Sequence, residues 1–219
     1  MLPSELNAPL AWQVFTRLGE SMLLMPAVAL VLVSLWRHEP GRALARQWLM
    51  ALTVAVALVT ASKLAFIGWG LGWAALDFTG FSGHSMFAAA VHPLLFGALA
   101  PVRHPAARRM AVTAGLLLAA MVGVSRVVVG AHSVSEVVSG LAIGLAVGVL
   151  AYGLGRLRVR WQAAAWMLPL VAAWLLAMPW LAPHSPTHSV VTRLALALSG
   201  HSVPYTRADL HAARAAAPR

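Results

Sequence analysis

Long apolar runs separated by short basic loops set the pattern of this chain. The runs cover Ser21–Trp36, Gln47–Ser62, Phe78–Val102, Met110–Ser125, Val137–Gly155 and Trp161–Thr192, and none holds an Asp, Glu, Lys or Arg. A membrane-spanning helix takes about 20 residues, with a range of roughly 17–25. Extended by flanking polar residues, the runs predict six transmembrane helices, over about 19–37, 46–66, 84–101, 109–129, 134–154 and 162–182. The fold class expected is therefore all-α, a polytopic membrane helical bundle. Residues 1–16 lack the basic start of a secretory signal, so the first span is expected to be retained. Residues 8–17 read as a short interfacial helix. Gly140, Gly144 and Gly148 give two overlapping G-x-x-x-G steps, a seam along which helix backbones approach closely.

The loops carry a directional charge. Arg37, Arg42 and Arg46 fall between the first two spans, Arg103, Arg108 and Arg109 between the third and fourth, and Arg156, Arg158 and Arg160 between the fifth and sixth. The opposite short loops hold only Lys63 and Arg126, and the N-terminal segment Arg17. Cytoplasmic loops are the basic ones. This places the arginine-rich side inside and both termini, with the loops around 63–84 and 126–136, outside. Trp36, Trp48 and Trp161 would then mark the inner interface, and Trp69, Trp73 and Trp180 the outer one. Residues 1–182 are expected to form one membrane domain. Residues 183–219 form a tail in which Val190–Leu198 is a single apolar patch, either lying on the membrane or partly disordered.

Composition agrees and removes other classes. Of 219 residues, 60% are hydrophobic and 10% charged, and mean hydropathy is +0.78. Soluble domains carry about 25% charged residues. The net charge of +10 is scattered over loops, so no nucleic-acid face is expected. There is no Cys, hence no thiolate metal site and no Cys nucleophile. The carboxylates number six: Glu5, Glu20, Glu39, Asp77, Glu136 and Asp209. A two-metal phosphohydrolase needs a cluster of acidic or His ligands that this chain hardly supplies. Chemistry is expected to lean on the nine His, with no cofactor and no metal.

Two polar clusters interrupt the apolar background, both on the outer side. The first runs from Asp77 through Ser82, Gly83 and His84 to Ser85. Gly80-Phe81-Ser82-Gly83-His84 nearly spells a serine-hydrolase elbow, but His84 replaces the last Gly and no preceding strand fits. Ser82 and Gly83 would open a helix, whose free N–H groups suit either a phosphate or a plain Ser cap. The second cluster is Ser125-Arg126, His132 and Glu136. His132 and Glu136 share a helix face at this spacing. The carboxylate can take the imidazole Nδ1–H and leave Nε2 as a nucleophile. A helix-end polar pair and half of a zinc site are the alternatives. Arg126 offers a planar fork for phosphate, or snorkels to the interface. Ionisable groups near membrane depth are functional by default.

Ser82-Gly83-His84 and Ser125-Arg126-x5-His132-x3-Glu136 resemble the second and third motifs of the type 2 phosphatidic acid phosphatase superfamily, the lipid phosphate phosphatases. The family pattern is K-x6-R-P, P-S-G-H and S-R-x5-H-x3-D, and the likeness spans about residues 46–154. Lys63 fits the first Lys. Three positions depart: Gly70-Leu71 stand in place of Arg-Pro, Phe81 in place of Pro, and Glu136 in place of Asp. The resemblance implies that His132 attacks phosphorus and becomes phosphohistidine, that His84 protonates the leaving oxygen and then activates water, and that Glu136 orients His132. It also implies that Lys63, Arg126, Ser82 and Gly83 hold the phosphoryl oxygens.

The function expected is an integral membrane phosphatase, metal-independent, acting on a membrane lipid. The candidates are phosphatidic acid, phosphatidylglycerol phosphate, lipid A phosphate and undecaprenyl diphosphate. Its site would face outward from a bacterial inner membrane. A lipid phosphotransferase is the alternative in the same superfamily. A small transporter and a non-catalytic lipid-binding protein are the alternatives outside it.

Overall fold

The computed structural model describes residues 9–37, 39–100, 104–154, 167–181 and 186–216. Loop residues Arg103, Arg156, Arg158 and Arg160, and the expected interface marker Trp161, lie outside them. Among the described residues there are nine α-helices and no strand. They are α1 (Leu10–Arg17), α2 (Ser21–Trp36), α3 (Glu39–Trp69), α4 (Gly83–Leu99), α5 (Pro105–Val128), α6 (Val134–Leu154), α7 (Met167–Leu181), α8 (Thr187–Ser199) and α9 (Arg207–Ala216). The six apolar segments correspond to α2 through α7. By length and apolarity, Gly41–Trp69 and Pro105–Val128 each suffice to cross a bilayer, and α1 with α2, joined at a 41° bend, amount to a third. Gly83–Leu99, Val134–Leu150 and Pro169–Leu181 are shorter apolar helices.

Local chemistry sets the helix ends. α3 starts well before the expected residue 46, because Glu39 suits a helix N-terminus and Pro40 is tolerated in a first turn. Arg42 and Arg46 therefore ride on the helix itself, and Arg42 Nε bonds the Trp36 carbonyl at 3.1 Å. At its other end α3 stops at Gly70, in the left-handed region with φ 69°. The Gly70 amide bonds the Phe66 carbonyl at 2.8 Å, the five-to-one bond of an αL ending, and the Leu71 amide reaches back to the Ala65 carbonyl at 3.2 Å.

The core gathers on α4. Its Ala88, Ala89, Ala90, Val91, Leu94 and Leu95 are buried against neighbours on several sides. Small residues let those neighbours in. A Cβ on Gly115 of α5 would stand 2.7 Å from the His92 carbonyl. A Cβ on Gly140 of α6 would stand 2.6 Å from the Ser82 carbonyl, and one on Gly144 would collide with the Met86 carbonyl. The glycine seam thus works at two of its three positions, since Gly148 faces open space. Trp36, Trp69, Trp73 and Trp180 are exposed, but Trp48 is fully buried in the bundle core and marks no interface. Its ring is turned inward with Leu44, Ala45 and Leu52 of the same helix.

The tail forms two helices, Thr187–Ser199 and Arg207–Ala216. Val191 and Ala195 of α8 pack on Phe66 and Ile67 near the end of α3. α9 follows and lies against the short 3₁₀ turn Ala74–Leu76.

Candidate active site

Helix direction brings the expected residues to one end of the bundle. α3 arrives there with Lys63, α4 departs with His84 in its first turn, α5 arrives with Arg126 in its last, and α6 departs with Glu136 in its first. The turn between α5 and α6 closes the remaining gap. Gly130 takes φ 71°, and the amides of Ala131 and His132 both bond the Arg126 carbonyl at 3.1 Å. His132 is thereby folded back beside Arg126, in the turn ahead of α6 and not on the helix face expected for it and Glu136. His84, Lys63, Arg126 and His132 are close enough to act on one another electrostatically.

Glu136 is wholly buried and carries the network. Its Oε2 accepts from His132 Nδ1 at 2.7 Å and from the Ser133 amide at 3.1 Å. Its Oε1 accepts from the Thr79 amide and hydroxyl, each at 2.6 Å. The extra methylene relative to Asp is absorbed, and the carboxylate still meets Nδ1. With Nδ1–H donated in this way, Nε2 of a neutral His132 holds the lone pair.

The charge state of His132 follows from its surroundings. Burial lowers its pKa, and the positive charges of Lys63 and Arg126 add to this, against the hydrogen bond to Glu136; it falls from 6.5 to about 4. A neutral imidazole therefore persists down to about pH 4, and only below that does a proton block Nε2. The unfolded chain binds that proton near 6.5, so this group makes folding less favourable as pH falls from about 6.5 towards 4.

Ser82 acts as the cap of α4. Its hydroxyl accepts from the Ser85 hydroxyl at 2.9 Å and, at 3.4 Å, from the Ser85 amide, while its own amide bonds the Glu136 carbonyl at 3.1 Å. The cap reading is thus realised, and it fixes where Gly83 and His84 emerge. Phe81, which replaces Pro, donates its amide to Ser62 Oγ at 3.1 Å, a bond that Pro could not make. Gly80, at φ 145°, lets the loop pass over Ser62 and Lys63. Among the described residues no three of His, Asp and Glu converge as metal ligands.

Three further residues were missed in the sequence. Thr16 of α1 accepts from Arg126 Nη1 at 2.7 Å, and Gly19 just beyond packs on His84. The helix expected at 8–17 is therefore a cover for the site as well as a surface element. Thr79 sits three residues before Ser82 without any motif to flag it. Arg207 comes from the tail, over 70 residues from its partner in sequence. Its Nη2 lies 2.9 and 3.0 Å from the two Glu136 oxygens, and its Nη1 lies 2.6 Å from both Asp77 Oδ2 and the Asp77 carbonyl. Asp77 also meets His211 Nε2 at 2.7 Å. Burial alone would raise the Asp77 carboxyl, but the hydrogen bonds and charges of Arg207 and His211 hold it below its ordinary value.

Fold and site together define a class, the integral membrane proteins with a phosphatase fold. The chain belongs to the PAP2 superfamily. Residues 68–160 match that family's sequence profile, a span that holds the second and third motifs and begins just after Lys63. An uncharacterized 22.5 kDa protein in the cps region of Klebsiella pneumoniae is 38% identical over 211 residues, covering 91% of this chain and 97% of its own. The fold is similar to the crystal structure of a transmembrane PAP2 type phosphatidylglycerolphosphate phosphatase from Bacillus subtilis. That match has a TM-score of 0.54 at 24% identity, and covers 71% of this chain and 83% of the other.

Proposed function

We propose that the chain is a lipid phosphate phosphatase working through a phosphohistidine on His132, without a metal. The observation that carries this reading is the 2.7 Å contact from His132 Nδ1 to a fully buried Glu136. It leaves Nε2 as the reactive nitrogen, in the field of Lys63 and Arg126. Nε2 attacks phosphorus, the bond from phosphorus to the lipid oxygen breaks, and His84, entering the step as the imidazolium, gives that oxygen its proton. Water then attacks the phosphohistidine, His84 takes the water's proton, and the P–N bond breaks to release phosphate. Lys63, Arg126 and the Gly83 amide at the start of α4 hold the phosphoryl oxygens. Phosphoryl transfer is chiefly positioning and charge stabilisation, so this set suffices.

The substrate class is an amphiphilic phosphate ester or diphosphate. Its tail lies among the helices of the domain 1–182 and its head at the loops. Purified protein in detergent is expected to release phosphate from at least one of phosphatidic acid, phosphatidylglycerol phosphate, lipid A phosphate and undecaprenyl diphosphate. Release should survive a strong chelator and be inhibited by vanadate, which mimics five-coordinate phosphorus. No release from the whole panel sinks the reading. Loss with chelator, restored by a divalent ion, sinks its metal-free form.

The site faces the extracytoplasmic side of a bacterial inner membrane, with both termini on that side. The loop-charge asymmetry supports this, as does the gathering of α1, the loop 70–82 and the tail at the site end. With no native Cys, single-Cys labelling is clean. Cys placed beside Ser82 should react with an impermeant reagent in intact cells, and Cys beside Arg108 should not. The reverse pattern inverts the topology.

A further inference from the structure

The tail closes over the spot where the family's first motif carries Arg-Pro. Gly70 stands there, and a Cβ on it would lie 2.9 Å from the Tyr205 ring. The Tyr205 amide bonds the Ile67 carbonyl at 3.0 Å, and His201 Nδ1 bonds the Gly68 carbonyl at 2.7 Å. Residues 201–205 are thus pinned along the end of α3. This delivers Arg207 to the loop and to Glu136. Beyond it, His211 holds Asp77 and Arg214 Nη1 bonds the Ala74 carbonyl at 3.2 Å.

Arg207 does not stand in for the missing phosphate cation. Its Nη1 is committed to Asp77, and its Nη2 to both Glu136 oxygens and, at 3.3 Å, to Thr79 Oγ1. No terminal nitrogen is left to turn toward a phosphoryl group without giving up a carboxylate. What it touches is the residue that touches the nucleophile.

We propose that Arg207 is a positioning residue for His132, acting through Glu136, and that residues 201–211 form a strap whose role is to seat it. This deepens the phosphatase reading and rests on it. The physical argument has two parts. An ionised carboxylate with no exposure needs a compensating charge, and among the described residues Arg207 supplies it by direct contact. Arg207 also draws on the negative charge that Glu136 presents to His132. Without it, the full carboxylate charge would favour the imidazolium, whose Nε2 carries a proton and cannot attack. The other groups facing His132 are Lys63 on α3, His84 on α4 and Arg126 on α5, and they stay in place.

The test uses the full-length chain with Arg207→Ala, Arg207→Lys and Asp77→Asn. Two readouts are taken: the pH profile of kcat/KM on a lipid phosphate that wild type hydrolyses, and the His132 imidazole titration by NMR in micelles. Arg207→Ala should lose about ten- to a hundredfold in kcat, as for supporting residues behind other reactive groups, with little change in KM. Its acid limb and its His132 titration should both move up by about one pH unit or more. Arg207→Lys should recover most of the shift, and Asp77→Asn, which removes a negative charge and leaves Arg207 to Glu136, should show a small shift in the opposite direction. If Arg207→Ala does not fold, the order Asp77→Asn, wild type, Arg207→Lys from lowest to highest in the titration still decides, and an unmoved titration in both variants overturns the proposal. A rise in KM with an unmoved acid limb would make Arg207 a substrate ligand and overturn the proposal. So would a fall in kcat with an unmoved His132 titration, which marks a merely structural role. Wild type that releases no phosphate defeats the phosphatase reading alone, because the titration tests the Arg207–Glu136–His132 coupling without turnover.

Discussion

His132→Asn is expected to abolish phosphate release, with a loss of about 10⁴-fold or more, as when other covalent nucleophiles are removed. Asn keeps a polar side chain that can still donate to Glu136 Oε2, so the network around Thr79, Ser133 and Arg207 has a reason to persist. What it lacks is a ring nitrogen with a lone pair on the far side. The variant should fold and bind substrate, and KM, where measurable, should move little. Radiolabelled phosphate release from the preferred lipid, set beside a melting curve in the same detergent, checks both halves. Substantial turnover by a well-folded variant would remove His132 from the role of nucleophile.

Glu136→Gln is expected to cost about 10²–10⁴-fold in kcat, by analogy with carboxylates that orient a catalytic His. The geometry says why an isosteric change is so costly. Every contact that Glu136 Oε1 and Oε2 make is with a donor: the Thr79 amide and hydroxyl, the Ser133 amide, His132 Nδ1 and Arg207 Nη2. A carboxylate accepts from all of them. Gln offers one acceptor oxygen, and its NH₂ must face donors on one side. If NH₂ faces His132, it asks Nδ1 to accept, which puts the ring proton on Nε2 and removes the attacking lone pair. If it faces Thr79, two donors collide in a buried site and Arg207 loses its charge partner. Glu136→Asp keeps the charge and should retain more activity than Glu136→Gln. Steady-state kinetics of the three proteins on one lipid settle the order, and equal activity of wild type and Glu136→Gln would end the orienting role.

Much of this is legible in the sequence. The uncharged runs located α2 through α7, because a spanning helix shows itself by length and apolarity alone. The spacing of Arg126, His132 and Glu136 located one half of the site, although His132 reaches Glu136 from the turn ahead of α6 and not along a shared helix face. The tail was not legible. Val190–Leu198 reads as an unattached patch, since its partner surface on Phe66 and Ile67 is made only when α3 runs on to Trp69. Arg207 is one of four tail arginines with nothing in its neighbours to distinguish it. Two signals pointed toward it in hindsight: a Glu at membrane depth that needs charge compensation, and the absence of an Arg near Gly70. Trp48 was misread for a different reason. Proximity to a basic loop suggests an interface, but α3 begins at Glu39, and that places Trp48 more than two turns inside the helix and on its core face.

The central claim is that His132 becomes covalently phosphorylated, with His84 as proton donor and then base. A lipid alkoxide leaves poorly and needs a proton from His84, whereas p-nitrophenolate leaves without one. In His84→Ala, p-nitrophenyl phosphate should therefore still phosphorylate the enzyme, and water attack should then lack its base. The most direct measurement is acid-free trapping of ³²P-labelled His84→Ala, with the label mapped by peptide, because phosphohistidine is acid-labile. The account predicts label that accumulates on His132 and vanishes in the His84→Ala, His132→Asn double variant. Label on Ser82, or label that persists once His132 is replaced, would contradict it.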